Sequence, residues 1–375
     1  MGPINLSRRA LLAGGGAAAG LASCATNPRY TATPFLALIV GNTYDEADGI
    51  PTLYNTDRDM QDIGSSLQGT AGWHGQGVSK KDAVRILPNA NAADLKSSLQ
   101  RFAASVETAN ANAMARAERL SRVGFEMQDV QYPTVFFYFA GHGFQSGKRN
   151  YLVPDVKRGE PMTVIDAESL LRSLTNVAKS GVVFVLDACR DQPTETFSRD
   201  DVAERAKATL LDGPALQPTR GFDVEFLNVV AQAANAREGE VGLDGNTPGL
   251  VGLEGIEGKE TWIVYSTASN TSAADNPCSV DGRRGRNGPF AKHLERELRV
   301  KQSLGNAITR TIQSMRADYE TCREGIVASG RAVSQDFRSQ SPYEYKNFSY
   351  NPYFAGRPVI EELPDCDRRP WSCVD

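Results

Sequence analysis

An α/β fold built on a mostly parallel central sheet follows from three features of the sequence. Short, unbroken apolar runs recur along the chain, and each stops at a glycine, an aspartate or a serine. Segments with helical spacing lie between the runs, and joins rich in small and polar residues separate the two kinds. Strands buried on both faces of a parallel sheet read as continuous apolar runs, and helices alternating with them supply the cover for both faces.

The first run, residues 35–40, ends at Gly41-Asn42. Residues 57–67 then show helical spacing through Met60, Ile63 and Leu67. Leu95, Leu99, Phe102 and Val106 continue into an Ala-rich, charged segment that reaches about residue 122. This stripe predicts one long helix or a helical hairpin, inserted on the flank of the sheet. Residues 134–140 and 181–186 are two further buried strands, with a helix-patterned stretch at 167–177 between them. Residues 190–258 are rich in Gly, Pro and charge, with short helical patterns at 202–211 and 224–236, and form a long excursion from the core. The sheet resumes at 261–266, and helices are expected at 290–298 and 304–319.

With 375 residues, 41% hydrophobic and 23% charged, the chain buries a sizeable core in one large domain or two modest ones. A formal net charge of -4, with Lys and Arg scattered, leaves no electrostatic footprint for nucleic acid. Beyond the N-terminus no stretch approaches the roughly 18 uninterrupted apolar residues of a membrane-spanning helix. The N-terminus itself reads as an export signal. Ser7-Arg8-Arg9-Ala10-Leu11-Leu12 precedes an Ala/Gly-rich segment that ends in Leu21-Ala22-Ser23-Cys24. The paired arginines resemble a twin-arginine signal. The last four residues resemble a lipobox, at which a bacterial lipoprotein is cleaved and its cysteine lipidated. Residues 1–24 are therefore expected to be a signal peptide, Cys24 a lipid anchor and 25–34, with Pro28 and Pro34, a tether. The mature protein is then periplasmic and held to the membrane by lipid alone; without the signal it would be cytoplasmic.

In an open parallel sheet, ligands bind beyond the carboxyl ends of the strands, so the residues after each run carry the functional information. Gly141-His142-Gly143 follow one run, and Asp187-Ala188-Cys189-Arg190 follow another. Acyl transfer needs a nucleophile, a base within hydrogen-bond reach and donors for the developing oxyanion. Cys189 supplies the first and His142 the second, while the amides of Gly143 and Cys189 are candidates for the third. A structural loop histidine and a small buried cysteine would be the alternative, but two such residues at equivalent strand ends favour chemistry. His74 and His293 lack this setting, and three histidines with dispersed cysteines give no metal-ligand cluster. With Cys24 and Cys189 set apart, Cys278, Cys322, Cys366 and Cys373 suffice for two disulfides in any of three connectivities.

The segments Tyr138-Phe139-Ala140-Gly141-His142-Gly143 and Leu186-Asp187-Ala188-Cys189-Arg190 resemble the His and Cys motifs of the caspase, metacaspase and bacterial caspase-like family. The residues 37–42, 55–60, 265–268 and 287–290 resemble family segments in the same order, and the likeness spans about 35–345. It implies a caspase-like three-layer αβα sandwich at 35–348, in which 35–190 corresponds to a large subunit, 191–258 to an intersubunit excursion and 259–348 to a small subunit. A tail at 349–375 follows. It also implies a cysteine endopeptidase that acts on protein or peptide substrates through the Cys189/His142 dyad and requires no cofactor. A non-catalytic or zymogen-like scaffold of the same fold is the alternative. Calcium activation, known in some relatives, is not legible in the sequence.

One departure bears on specificity. Animal caspases have Gln two residues before the nucleophile and Gly two after it, where this chain has Asp187 and Asp191. Residues two apart on a strand share a face, so Asp187 is expected to face the pocket of Cys189. A carboxylate left unpaired there is costly to desolvate, and a substrate Arg or Lys would supply the countercharge. In metacaspase-type relatives this Asp and the one matching Asp57 form an acidic pocket for a basic residue. The alternative for Asp57 is a first-turn residue favoured by the helix dipole. Ser266, at the end of its strand, and Asp275, in the loop beyond it, are further pocket candidates.

Overall fold

The computed structural model describes residues 33–47, 50–74, 76–122, 130–146, 149–158, 164–188, 260–267, 273, 285–300, 302–330 and 343–347. Among these, six strands form one sheet in the order β2-β1-β3-β7-β8-β9. They are β1 (Phe35–Gly41), β2 (Val84–Pro88), β3 (Thr134–Ala140), β7 (Val182–Asp187), β8 (Thr261–Tyr265) and β9 (Tyr343–Asn347). All neighbours pair in parallel except β8 and β9. The three short strands β4 (Gly143–Ser146), β5 (Arg149–Leu152) and β6 (Ile165–Asp166) form a small antiparallel sheet of their own.

The four central strands are buried along their whole length, as their continuous apolar sequences require. Each contributes to two cores, because successive side chains point to opposite faces. Leu36, Leu38, Val40, Phe137, Phe139, Phe184 and Leu186 line one face. After the one-turn helix α2 (Lys80–Ala83), helices α3 (Ala92–Arg122) and α4 (Ala167–Val177) cover it with Leu95, Phe102, Val106, Leu170 and Leu174. Phe35, Ala37, Ile39, Phe136, Tyr138, Val185, Trp262 and Val264 line the other. That face is covered by α1 (Thr56–Gln68), α5 (Pro289–Leu298) and α6 (Leu304–Ala328). The result is a three-layer αβα sandwich.

Several elements differ from the sequence expectation. Segment 92–122 is one helix, and its first half belongs to the core layer: burial of Leu95, Phe102, Val106 and Ala109 gives way to exposed residues from position 111. Helix α6 runs nine residues beyond Tyr319, to Ala328, although its apolar stripe thins after Met315. Cys322, on that extension, is buried and disulfide-bonded. The other five cysteines lie outside the described residues, as do the signal, the tether up to residue 32, the excursion at 191–258 and the tail. Strands β2 and β9 border the sheet, and a one-sided edge strand has no unbroken apolar run to reveal it.

Helix α1 joins the two halves of its layer through a buried carboxylate. Asp59 is fully buried and accepts the Gly288 N–H at 2.8 Å, while Asp62 accepts from the Asn287 side chain at 3.0 Å. Gly288 is the N-cap of α5, with Pro289 in its first turn, so carboxyl oxygens accept where the helix leaves its amides unsatisfied. This anchoring is the structural content of the motif at 287–290.

Candidate active site

Strand order fixes where a site can form. From β1 the chain goes outward to β2, then returns to the other side of β1 to lay down β3, and continues through β7 and β8. The crevice at such a reversal, beyond the carboxyl ends of β1 and β3, is where open α/β sheets bind their ligands. The segments leading into it are Gly41-Asn42-Thr43-Tyr44 from β1 and Gly141-His142-Gly143 from β3.

Asn42 is fully buried and closes the β1 end. Its backbone N–H donates to Ala140 O at 3.0 Å, its Oδ1 accepts from the Ala90 N–H at 2.9 Å, and its carbonyl accepts from Thr56 Oγ1 at 2.7 Å. A Cβ at Gly41 would stand 2.8 Å from Thr56 O and 2.7 Å from Met60 Cβ, so only glycine lets α1 approach this strand end.

His142 is fully buried. Its Nε2 lies 2.7 Å from the carbonyl oxygen of Pro51. A carbonyl can only accept, so Nε2 carries the proton, and in the neutral imidazole the other nitrogen, Nδ1, holds the basic lone pair. The Pro51 carbonyl therefore selects the tautomer and the ring orientation. Its loop is held by Ile50 and Leu53, which pack with Tyr44, Phe144, Val153 and Val156 beneath the crevice. The amide of Gly143 is also oriented by its neighbours. The Val153 N–H donates to His142 O at 3.0 Å, and Gly143 pairs with Leu152 in the next register position. The Gly143–Leu152 pair is then the one without mutual hydrogen bonds, so the Gly143 N–H points away from β5.

Asp187 ends β7, next to β3 with Ala140 as its register partner. It is 1% exposed and lies on the face of Tyr138, Val185 and helix α1. Its Oδ2 accepts from the Tyr138 hydroxyl at 3.0 Å. The hydroxyl satisfies one acceptor position of the Asp187 carboxyl but brings no positive charge. On β8 the pairing of Leu186 with Tyr265 sets Ser266 beside Asp187 on the same face. The Ser266 N–H donates to Leu186 O at 2.9 Å, and its Oγ is buried without a hydrogen-bond partner. Asp57 is exposed on the first turn of α1, on the same side of the sheet. Cys189 and Asp275 lie outside the described residues; Cys189 follows directly on Ala188, which is buried at the end of β7. Among the described residues no group of three or more His, Cys, Asp or Glu is arranged to hold a metal ion. No helix of these residues is long and apolar enough to cross a membrane.

A second buried carboxyl ties α4 to β5, whose Asn150 reaches the end of β8. Glu168, in the first turn of α4, accepts from the Asn150 N–H at 3.2 Å and from its side chain at 2.9 Å, and Asn150 reaches the Tyr265 hydroxyl at 3.4 Å. Burial pushes the Glu168 carboxyl from its ordinary 4.5 up to about 8, a rise that the Asn150 hydrogen bonds oppose. Between these two values the unfolded chain has lost a proton that the folded chain retains. Stability due to this group is fully present below pH 4.5 and falls as pH rises toward 8, by at most about 1.4 kcal/mol per pH unit. Glu168→Gln keeps the Asn150 contacts and removes the titration. Its stability advantage over wild type should grow across this window and level off above it, as urea unfolding at several pH values would measure.

Tyr44 and Pro51 lie outside the motif segments, and Tyr138 and Asp59 lie within them with no role that residue type or spacing assigns. Tyr44 lies three residues beyond a strand end, and the strand-end rule that selected His142 covers it equally. The Pro51 contact is made by a backbone oxygen, so no residue type announces it.

No curated protein matches the chain. Among solved structures, that of pro-sf-caspase-1 is similar at 12% identity with a TM-score of 0.44, covering 95% of this chain and 98% of that one. The sequence model for the caspase domain matches residues 35–347, nearly the whole of the sandwich, and the chain belongs to the caspase-domain family.

Proposed function

We propose that the protein is a cysteine endopeptidase in which Cys189 is the nucleophile and His142 the general base, cleaving after Arg or Lys. The observation that carries this reading is the 2.7 Å contact of His142 Nε2 with Pro51 O, which keeps Nδ1 as the basic nitrogen at the sheet's reversal point. Nδ1 takes the thiol proton and the thiolate attacks the scissile carbonyl. The amides of Gly143 and Cys189 stabilise the oxyanion, and the imidazolium returns its proton to the leaving amine. Water then hydrolyses the acyl-enzyme with His142 again as base. Asp187, Ser266 with its unpartnered hydroxyl, Asp57 and Asp275 are proposed to form the pocket for the basic side chain. Export as a periplasmic lipoprotein anchored through Cys24, with the subunit-like division at 190 and 258, belongs to the same proposal.

Burial favours a second reading. His142, Asp187 and Ser266 are each at most 1% exposed, so a peptide reaches the imidazole only after rearrangement, as in a zymogen-like form or a scaffold. One experiment tests both readings: purified protein with fluorogenic peptides ending in Arg, Lys or Asp, in the presence and absence of calcium and reductant. Cleavage after Arg and Lys, abolished in Cys189→Ala, is the expected result. Cleavage after Asp overturns the specificity, and no cleavage under any condition favours the second reading.

A further inference from the structure

Tyr44 is built into the crevice in an unusual way. Its φ is +62°, a left-handed backbone that costs an aromatic residue conformational energy and that persists only where surrounding contacts impose it. Those contacts converge on His142. The His142 N–H donates to the Tyr44 hydroxyl at 2.9 Å, and that hydroxyl donates to Val153 O at 2.6 Å. His142 and Val153 are opposite residues at the start of the β4/β5 ladder, where the Val153 N–H donates directly to His142 O. An ordinary antiparallel pair would return a second direct bond, from the His142 N–H to Val153 O. Here the Tyr44 hydroxyl is spliced into that bond, accepting from one strand and donating to the other.

The ring adds to the hold. Its centroid is 4.6 Å from that of the imidazole, with the planes inclined at 44°, and the side chain is 1% exposed. Gly141 leaves room for the arrangement, since a Cβ there would stand 2.7 Å from the Tyr44 hydroxyl and 2.8 Å from Phe139 Cζ. We infer that Tyr44 is a positioning residue: its hydroxyl opens the ladder at His142 and sets the backbone and ring plane from which the imidazole acts on the thiol. Pro51 selects the tautomer, and Tyr44 sets where that tautomer points. The inference rests on the reading of His142 as general base.

Tyr44→Phe, in the full chain, removes the hydroxyl alone. The buried His142 N–H loses its acceptor, the strands re-pair directly or stay apart, and the imidazole leaves its position. The expected result is a kcat lowered about 10- to 100-fold, the scale of a misplaced catalytic group, with KM unchanged. A second measurement does not depend on activity. The chain has 3 histidines, so ¹⁵N spectra of the imidazoles are assignable by the signal lost in His142→Ala. Wild type should show one Nε2–H tautomer at His142, and Tyr44→Phe a broadened or mixed one. Tyr44→Gly removes ring and hydroxyl while accepting the left-handed backbone, and should lower kcat further. If wild type cleaves no peptide, the proposed function fails, and the imidazole spectra still decide this inference. A folded Tyr44→Phe protein with unchanged His142 signals overturns it, whatever the peptidase assay gives.

Discussion

Cys189→Ala and His142→Ala should each reduce kcat/KM on an Arg-ended peptide by about 10⁴-fold or more, and the double variant should be no worse than either. The non-additivity follows from the chemistry, because thiol and imidazole act in one proton transfer and removal of either leaves the other without a task. The two single variants differ in what remains. Without His142 no base takes the thiol proton, and attack depends on whatever thiolate forms by ionisation in water, a fraction that grows with pH. Residual activity of His142→Ala should therefore rise with pH and flatten once the thiol has ionised, while Cys189→Ala shows no such rise. Stopped assays across the neutral-to-alkaline range distinguish the cases. A double variant slower than both singles by a further large factor would mean that the two residues act independently.

Asp187→Asn should reduce cleavage after Arg and Lys by about 150- to 5,000-fold, the equivalent of the roughly 3–5 kcal/mol lost when one partner of a buried ion pair is removed. Cleavage after neutral residues should change only a few-fold. Asn is chosen because its side-chain oxygen can still accept from the Tyr138 hydroxyl, which lies 3.0 Å from Asp187 Oδ2 in wild type. The substitution then removes charge and leaves the hydrogen bond. An equal loss on basic and neutral peptides would show that Asp187 braces the end of β7 and does not read the substrate.

The experiments centre on residues that the sequence revealed unequally, and the reasons differ by element. Strands β1, β3, β7 and β8 were legible because burial on both faces demands a continuous apolar run, which few other structures require. Helices α4 and α5 were legible from local periodicity. Strands β2 and β9 were not, since an edge strand buries less and carries no such run. The end of α6 was misplaced because a helix can continue through polar residues once its first turns are packed.

At the site the division is sharper. The sequence by itself determined the family segments, the strand ends that carry His142 and Asp187, and the shared face of positions two apart on a strand. Only the tertiary structure decided that β3 lies beside β1 at the reversal of the sheet, that Pro51 offers its carbonyl to His142, and that Asp59 and not Asp57 is the buried acid of α1. It also decided that Tyr44 meets His142 across a separation of 98 residues. Periodicity and motif act over a few residues, because they reflect the pitch of a strand or helix. Contacts between distant loops depend on strand order and on backbone atoms common to every residue, so they become visible only when the chain is folded.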